Sequence, residues 1–196
     1  MRTLAGQCPA PRVSAPGSKR PPVVIWNLLR RCNLTCKHCY ATSADSVFRD
    51  ELDTATALRV IDDLHEAGVR VLILSGGEPL LQVDAALIDA LHARGFRVAV
   101  ESNGTVAAPE GIDWLCISPK AGADWVQRSG QELKLVWPQP GFDLQAIEAG
   151  TRFDRYFLQP MDNVLQADNT AACIAQCLQR PAWRLSLQTH KLTGIR

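Results

Sequence analysis

The sequence predicts an α/β protein built on about six or seven mainly parallel strands. From Val23 onward, short apolar runs alternate with segments of helical period, which is the pattern of successive strand-helix-strand units. Two helical segments end at a glycine, Gly68 and Gly95, directly before the next apolar run. At 196 residues and 46% apolar content, the chain has enough material for one domain with a continuous core.

The predicted elements follow in order from this apolar pattern. Strands are expected at residues 23–29, 69–74, 96–100, 114–117, 133–136, 156–158 and 183–187, and helices at residues 54–67, 85–94, 143–149 and 169–179. Residues 1–22 contain five prolines and no apolar period. We therefore expect a flexible leader over residues 1–22 and one core domain over residues 23–196.

The charge balance and the hydropathy narrow the class of partner. The chain has 21 Lys and Arg against 20 Asp and Glu, so it lacks the basic field that nucleic acid binding needs. No run approaches the roughly 18 apolar residues of a membrane span, and residues 1–22 lack the apolar region of a secretion signal. We expect a cytoplasmic protein that acts on a small molecule.

A polar motif follows nearly every predicted strand at the point where the strand ends. These motifs are residues 30–40, Ser75-Gly76-Gly77-Glu78, Glu101-Ser102-Asn103-Gly104, Ser118-Pro119-Lys120, Gln159-Pro160-Met161-Asp162 and Gln188-Thr189-His190-Lys191. In parallel α/β sheets and barrels, the active site is built at the carboxyl ends of the strands. We therefore expect these segments to converge on one rim.

Three of the seven cysteines, Cys32, Cys36 and Cys39, fall within eight residues at C-x3-C-x2-C spacing. In a reducing compartment, such a group favours metal binding over a disulfide. Three thiolates can hold a four-iron cluster with one iron left open, whereas structural zinc normally has four protein ligands. His38 or Cys8 could supply a fourth ligand, so zinc is the alternative to an iron-sulfur cluster. The other cysteines, Cys116, Cys173 and Cys177, are expected to be small buried side chains and not ligands.

The cysteine spacing, with an aromatic residue at His38 before the third cysteine, resembles the signature of the radical S-adenosylmethionine (SAM) superfamily. The resemblance implies an open partial (β/α) barrel, a 4Fe-4S cluster on Cys32, Cys36 and Cys39, and SAM bound to the open iron near His38. It further implies that an electron donor such as flavodoxin or ferredoxin reduces the cluster. Cleavage of SAM then gives methionine and a 5′-deoxyadenosyl radical that abstracts hydrogen from the substrate.

The motif Gly76-Gly77-Glu78-Pro79 is similar to the superfamily's motif for the SAM amine. The glycines allow close approach of a backbone, and a carboxylate at Glu78 can accept hydrogen bonds from an ammonium group. An ordinary glycine turn before a helix is the alternative. The position of the motif, one strand after the cysteines, favours a role in cofactor binding, and the absence of a following G-K-[ST] argues against a phosphate loop.

From about residue 87 to the end, the chain closely resembles the 7-carboxy-7-deazaguanine synthase family. The resemblance lies in the segments LIDALHARGF, ESNG, IDWLCISPKA, ELKLV, YFLQPMD and WRLSLQTHK. It implies ring contraction of 6-carboxy-5,6,7,8-tetrahydropterin to 7-carboxy-7-deazaguanine with loss of ammonia, assisted by Mg²⁺, in a homodimer. The residues that it implies at the cofactor are Ser118, Pro119, Lys120, Gln159, Pro160, Met161 and Asp162 with Gly76 and Gly77. Those that it implies at the substrate are Ser75, His190 and Arg196.

Residues 23–81 look instead like radical enzymes that modify tetrapyrroles or peptides, especially the maturation protein for the haem of nitrite reductase. Two features of the synthase family are missing: an amino-terminal Gln-Gly-Glu-Gly substrate loop, and an Asp-Thr after the last cluster cysteine, where this chain has Tyr40-Ala41. In that family the threonine meets magnesium. The deazaguanine synthase is the leading hypothesis, a tetrapyrrole- or peptide-modifying enzyme is the second, and a non-catalytic iron-sulfur or zinc protein or an inactive fusion is the third.

Overall fold

The computed structural model describes residues 21–36, 39, 41–49 and 51–194, and within them the chain forms one open sheet of seven parallel strands. The strands lie across the sheet in their order along the chain, so each pairs with the next. They are β1 (Val23–Leu29), β2 (Val71–Gly76), β3 (Arg97–Ser102), β4 (Trp114–Ile117), β5 (Ser129–Trp137), β6 (Arg152–Pro160) and β7 (Trp183–Leu185). The predicted α/β class and parallel sheet are confirmed. Of the predicted leader at residues 1–22, only Pro21 and Pro22 lie within the described residues.

Helices connect several of these strands. In the described part of the chain they are α1 (Thr54–Glu66), α2 (Ala85–Ala93), α3 (Leu144–Gly150), α4 (Gln166–Gln179) and α5 (Thr189–Thr193), with a 3-10 turn at Pro79–Leu81. Asp53, Asp84 and Asp143 begin α1, α2 and α3, and each carboxylate accepts a hydrogen bond from a backbone N–H of the first turn. The helix α5 was not predicted, because its segment is short and polar.

The two faces of the sheet differ in burial. One face carries the core, where side chains such as Leu72, Val98 and Leu133 are fully buried beside Ile88 of α2 and Cys173 of α4. Burying each large apolar side chain of this kind contributes about 1.5–3 kcal/mol. Along each strand the alternate positions point to the opposite face. That face is less covered at its β1 edge, where Ile25 is 65% exposed.

Strand β2 begins and ends two residues later than its apolar run predicts, and β3 begins one residue later and ends two residues later. Val69 and Phe96 close the preceding helices instead, because their N–H groups donate to Leu64 O at 3.0 Å and to Leu91 O at 3.2 Å. At the other end, β2 includes Gly76 and β3 includes Ser102. The polar motifs predicted to follow these strands therefore begin inside them.

Strands β5 and β6 are longer than predicted, and β7 is shorter. The parallel pairing continues to Val136 opposite Gln159 and Trp137 opposite Pro160. Backbone hydrogen bonds hold a ladder whatever the side chains are, so the strands extend past the point where apolar residues stop. This extension fixes the polar end of β6 against β5, beside the rim where the site lies.

Candidate functional site

The segment that follows β1 carries the three cysteines of the predicted cluster. The Cys32 N–H donates to Ala44 O at 3.1 Å, and the Cys39 N–H donates to Cys36 O at 3.2 Å, so the segment folds back on itself. The Cys32 side chain is buried, whereas those of Cys36 and Cys39 are partly exposed. All three are free thiols. His38, which was predicted to contact SAM, lies outside the described residues.

Hydrogen-bond donors surround two of these sulfur atoms. The N–H of Leu34 donates to Cys32 Sγ at 3.4 Å, and the N–H of Ser43 donates to Cys39 Sγ at 3.5 Å. Burial raises the pKa of the Cys32 thiol. Burial acts in the same direction on Cys39, but hydrogen bonds from the segment that follows it outweigh this effect and lower the pKa of its thiol. Such donors stabilise the negative charge of ligand thiolates.

The two glycines after β2 pack against the chain that leads into the cysteines. The Gly77 N–H donates to Leu29 O at 2.7 Å, and the Glu78 N–H donates to Arg31 O at 2.9 Å. A Cβ atom on Gly77 would lie 2.0 Å from Arg31 O, which no side chain can occupy. Gly76 has a φ of 115°, and a Cβ there would lie 2.5 Å from Leu29 O. The close backbone approach predicted for this motif is therefore made by the chain's own residues.

Glu78 is fully buried, and its carboxylate bonds inside the protein. Its Oε1 accepts from the Leu80 N–H at 3.0 Å, and its Oε2 accepts from the Asn103 N–H at 2.7 Å. Burial raises the pKa of this carboxyl, against the hydrogen bonds that favour its charged form. Glu78 therefore connects the end of β2 to Asn103, the residue that follows β3. An interaction with a SAM ammonium group stays a prediction.

A pocket of about 850 Å³ lies at the carboxyl ends of the strands. It is lined by residues from both halves of the chain, among them Leu34, Thr35, Cys36, Lys120, Ala121, Gly122, Ala123, Val136, Gln139, Pro140, Gln159, Pro160, Met161, Asp162, Gln188 and Lys191. Six of the predicted site residues are in this lining. The expected convergence of the segments after β1, β4, β6 and β7 on one rim is therefore found. The segments after β2 and β3 instead support the cysteine segment from the side.

Lys120 is the cation that the loop after β4 brings to this pocket. Its Nζ donates to Ser118 Oγ at 2.9 Å, which holds the long side chain in place. Burial lowers the pKa of this ammonium group. Ser118 and Pro119 are not part of the lining, and their predicted contact with the cofactor stays a prediction. In the same lining, Lys191 of α5 is paired with Asp162.

A polar group of three side chains, Ser75, Glu101 and Lys134, lies on the open face of the sheet, next to the end of β2. The hydroxyl of Ser75 donates to Glu101 Oε2 at 3.0 Å, and Lys134 Nζ lies 3.4 Å from Glu101 Oε1. Burial acts to lower the pKa of Lys134, but the surrounding acidic groups outweigh it and raise that pKa. Ser75 was predicted at the substrate. Glu101 and Lys134 were missed as its partners, because they come from strands β3 and β5.

The predicted residue His190 and the three remaining cysteines of the described chain lie outside the pocket lining. His190 is exposed on α5 and outside the pocket lining, although its neighbours Gln188 and Lys191 are part of it. Arg196 lies outside the described residues. Cys116 and Cys173 are buried, as predicted, and burial raises the pKa of each thiol to about 12. Cys177 is only partly buried.

The donor set of the cysteine segment fits an iron-sulfur cluster. Among the described residues, no group of three or more His, Cys, Asp or Glu side chains is arranged to hold a single metal ion. A four-iron cluster makes a different demand, because each cysteine binds a different iron at a separate corner. Three free thiols on one segment meet this demand, with N–H donors beside Cys32 and Cys39 and with Cys36 at a pocket large enough for a small cofactor.

Several known proteins resemble this chain over much of its length. The sequence profile of the radical SAM superfamily matches residues 26–133. The chain is 60% identical over 127 residues to the 7-carboxy-7-deazaguanine synthase of Bradyrhizobium diazoefficiens, a match that covers 65% of this chain and 60% of that protein. It is 38% identical over 166 residues to the synthase of the same name from Bacteroides thetaiotaomicron, covering 84% of each. The chain thus spans about 60% of the length of the first of these relatives.

The resemblance to a second kind of enzyme is also found. The chain is 50% identical over 98 residues to the pre-heme d1 synthase of Dinoroseobacter shibae, a match that covers 50% of this chain and 24% of that protein.

Among solved structures, QueE from Escherichia coli superposes with a TM-score of 0.50 at 24% identity, over 81% of this chain and 73% of that one. No helix in the described ranges has the length and apolar character that a membrane crossing requires.

Proposed function

Because the chain belongs to the radical SAM superfamily, we propose that it holds a 4Fe-4S cluster through Cys32, Cys36 and Cys39 and cleaves SAM reductively. The observation that carries the proposal is the position of Cys36, which lines the same pocket as Lys120 and the residues from Gln159 to Asp162. A cofactor in this pocket would touch the cluster segment on one side and the carboxyl-terminal half on the other.

The residues of this chain would bind and orient the cofactor. When bound, the cluster and SAM supply a one-electron reduction and a carbon radical. Gln159 and Gln188 offer amide donors and acceptors to the polar groups of SAM, while Val136 and Pro160 offer apolar surface to its adenine. Lys120 is held by Ser118 and adds a positive charge to the same lining. The ion pair between Lys191 and Asp162 joins α5 to the end of β6 at the rim.

For the substrate, we propose 6-carboxy-5,6,7,8-tetrahydropterin, converted to 7-carboxy-7-deazaguanine and ammonia. The proposal is supported by the identity to proteins of that name and by the polar group of Ser75, Glu101 and Lys134 on the open face. This group combines a hydroxyl, a carboxylate and an ammonium group. Such a set can bind the donor and acceptor edges of a pterin and its carboxylate.

The residues do not fit a magnesium site of the synthase type. Ala41 has no oxygen atom in its side chain, and the hydroxyl of Thr42 accepts from Arg30 Nη2 at 3.1 Å. Turnover of the reconstituted protein measured with and without added Mg²⁺ tests whether this ion has any part. A flavodoxin or ferredoxin donor, a homodimer and a cytoplasmic location belong to the proposal only through the family resemblance.

A tetrapyrrole- or peptide-modifying enzyme is the second candidate. The identity to pre-heme d1 synthase favours it, as does Tyr40-Ala41 in place of Asp-Thr. One experiment separates the candidates. The anaerobically reconstituted protein is incubated with SAM, a reductant and the tetrahydropterin, and the products are assayed for 7-carboxy-7-deazaguanine and 5′-deoxyadenosine.

Each outcome of this assay has a defined meaning. Formation of both products supports the synthase. Formation of 5′-deoxyadenosine alone, with or without the pterin, contradicts the proposed substrate and leaves the second candidate. A protein with full iron and sulfide that forms neither product is a non-catalytic iron-sulfur protein or an inactive fusion. Stoichiometric zinc without sulfide would contradict the cluster itself.

A further inference from the structure

Asn103 lies immediately after β3 and is buried, with 8% of its surface exposed. It does not line the large pocket. Its backbone N–H donates to Glu78 Oε2, and its side chain reaches Cys32 and Asn33 at the beginning of the cysteine segment. Asn103 is therefore hydrogen-bonded both to Glu78 and to Cys32, a predicted ligand of the cluster.

The orientation of the Asn103 amide is fixed by donors that cannot be reversed. The backbone N–H of Thr105 can only donate, so the atom 2.9 Å from it must be the oxygen Oδ1 of Asn103. The hydroxyl of Thr105 donates to the same oxygen at 2.6 Å. The nitrogen Nδ2 of Asn103 must therefore face the other way, toward the cysteine segment.

A third residue closes a ring of side-chain hydrogen bonds. Asn33 Nδ2 donates to Thr105 Oγ1 at 2.8 Å, and Asn103 Nδ2 donates to Asn33 Oδ1 at 3.2 Å. Each member of the ring of Asn33, Asn103 and Thr105 thus donates to one neighbour and accepts from the other. The ring uses one of the two N–H groups of Asn103 Nδ2. The second N–H is available to Cys32 Sγ, which lies 3.7 Å from Nδ2.

We propose that Asn103 is a positioning residue that donates an N–H···S hydrogen bond to the Cys32 ligand and so raises the reduction potential of the cluster. The inference rests on the proposed function, since it needs a cluster on Cys32. Cysteine sulfur carries more negative charge when the cluster is reduced. A fixed N–H donor therefore stabilises the reduced form more than the oxidised form. The ring holds the donor in place in both forms, so little reorganisation accompanies electron transfer.

The test is the reduction potential of the anaerobically reconstituted full chain, measured together with its iron and sulfide content. In Asn103→Ala the hydrogen bond is lost, and at the parent's midpoint the ratio of reduced to oxidised cluster should fall about two- to tenfold. Asn103→Asp keeps the acceptor for Thr105 but replaces the donor by a negative charge, so its ratio should fall further. The matched control is Asn169→Ala, because Asn169 is equally buried and donates to Met161 O and Asn163 Oδ1, away from any sulfur of the cluster segment.

The parent potential in Asn103→Ala or in Asn103→Asp, at full iron content, would overturn the inference. Loss of the cluster from both variants, with Asn169→Ala intact, would also overturn it, because Asn103 would then be needed for assembly and not for tuning. A parent chain that binds no iron and sulfide contradicts the proposed function itself. That result is distinct from a parent cluster whose potential does not depend on Asn103.

Discussion

Gly77 lies where the end of β2 touches the backbone before Cys32, and it has no room for a side chain. A Cβ there would lie 2.0 Å from Arg31 O and 2.6 Å from Arg31 C. Gly77→Ala should therefore destabilise the protein by about 3 kcal/mol or more and should reduce the iron content after reconstitution. Unfolding in guanidinium chloride and iron analysis measure the two effects.

Gly150→Ala is the matched control, because a Cβ on this last residue of α3 would meet no atom within 4 Å. It should change the free energy of unfolding by less than about 1 kcal/mol. If Gly77→Ala were as stable as Gly150→Ala and kept the iron, the close contact between the two backbone segments would be wrong.

The buried carboxyl of Glu78 makes a prediction about pH. Burial raises its pKa in the folded protein above the ordinary value of 4.5. A group with a raised pKa in the folded state contributes stability that is complete below its ordinary value and is lost as the pH rises through the folded value. The free energy of unfolding of the parent, minus that of Glu78→Gln, should therefore be largest below pH 4.5 and should decline above it.

Urea unfolding of both proteins across this pH range measures the difference. Glu78→Gln also replaces one accepting oxygen by an NH₂ group beside a backbone N–H, so it should be less stable by about 1–3 kcal/mol at low pH. A difference that does not change with pH would mean that the carboxyl titrates as if it were in water.

At the scale of single residues, the sequence indicated the cysteine and glycine motifs but not the hydrogen bonds that connect them to the rest of the chain. The cysteines and the glycines are recognisable from their spacing. The partner of Glu78 is Asn103, and the ring that fixes Asn103 closes with Asn33. These contacts join residues that are far apart in the sequence, and no local pattern of residue types indicates them.

Among the elements, β6 carries the most specific prediction. Its last two residues, Gln159 and Pro160, pair with β5 and line the pocket. Gln159→Ala should weaken the binding of SAM to the reconstituted protein about two- to tenfold, because one neutral hydrogen bond is lost. The cluster should remain intact. Titration calorimetry measures the affinity.

Gln145→Ala, at an exposed position of α3, serves as the control and should bind SAM like the parent. Unchanged affinity in Gln159→Ala would show that the carboxyl-terminal half does not contribute to the cofactor site.

The element boundaries show which part of the fold a sequence pattern reveals. The order and type of the strands and the four longer helices follow from apolar periodicity. The ends do not, because Val69 and Phe96 are apolar residues that terminate helices, and Gln159 is a polar residue that continues a strand. Backbone hydrogen bonding decides both cases, and it depends on the neighbouring element as well as on the residue itself.

In the whole molecule, the pocket needs both halves of the chain. Cys36 comes from the amino-terminal half, and Lys120 and Gln159 come from the carboxyl-terminal half. The sequence predicted this convergence from the topology of parallel sheets alone. It did not predict that one face of the sheet stays open, because alternation of burial emerges only when the helices have packed on the other face.

The central claim is that Cys36 binds a cluster that cleaves SAM, whereas Cys173 is a buried core residue whose thiol donates to Trp137 O. The most direct test measures 5′-deoxyadenosine formed anaerobically from SAM and a reductant by the reconstituted parent, Cys36→Ala and Cys173→Ala. The parent and Cys173→Ala should form it, and Cys36→Ala should form none, because one iron loses its protein ligand. Equal formation by Cys36→Ala, or none by a parent with full iron and sulfide, would contradict the account.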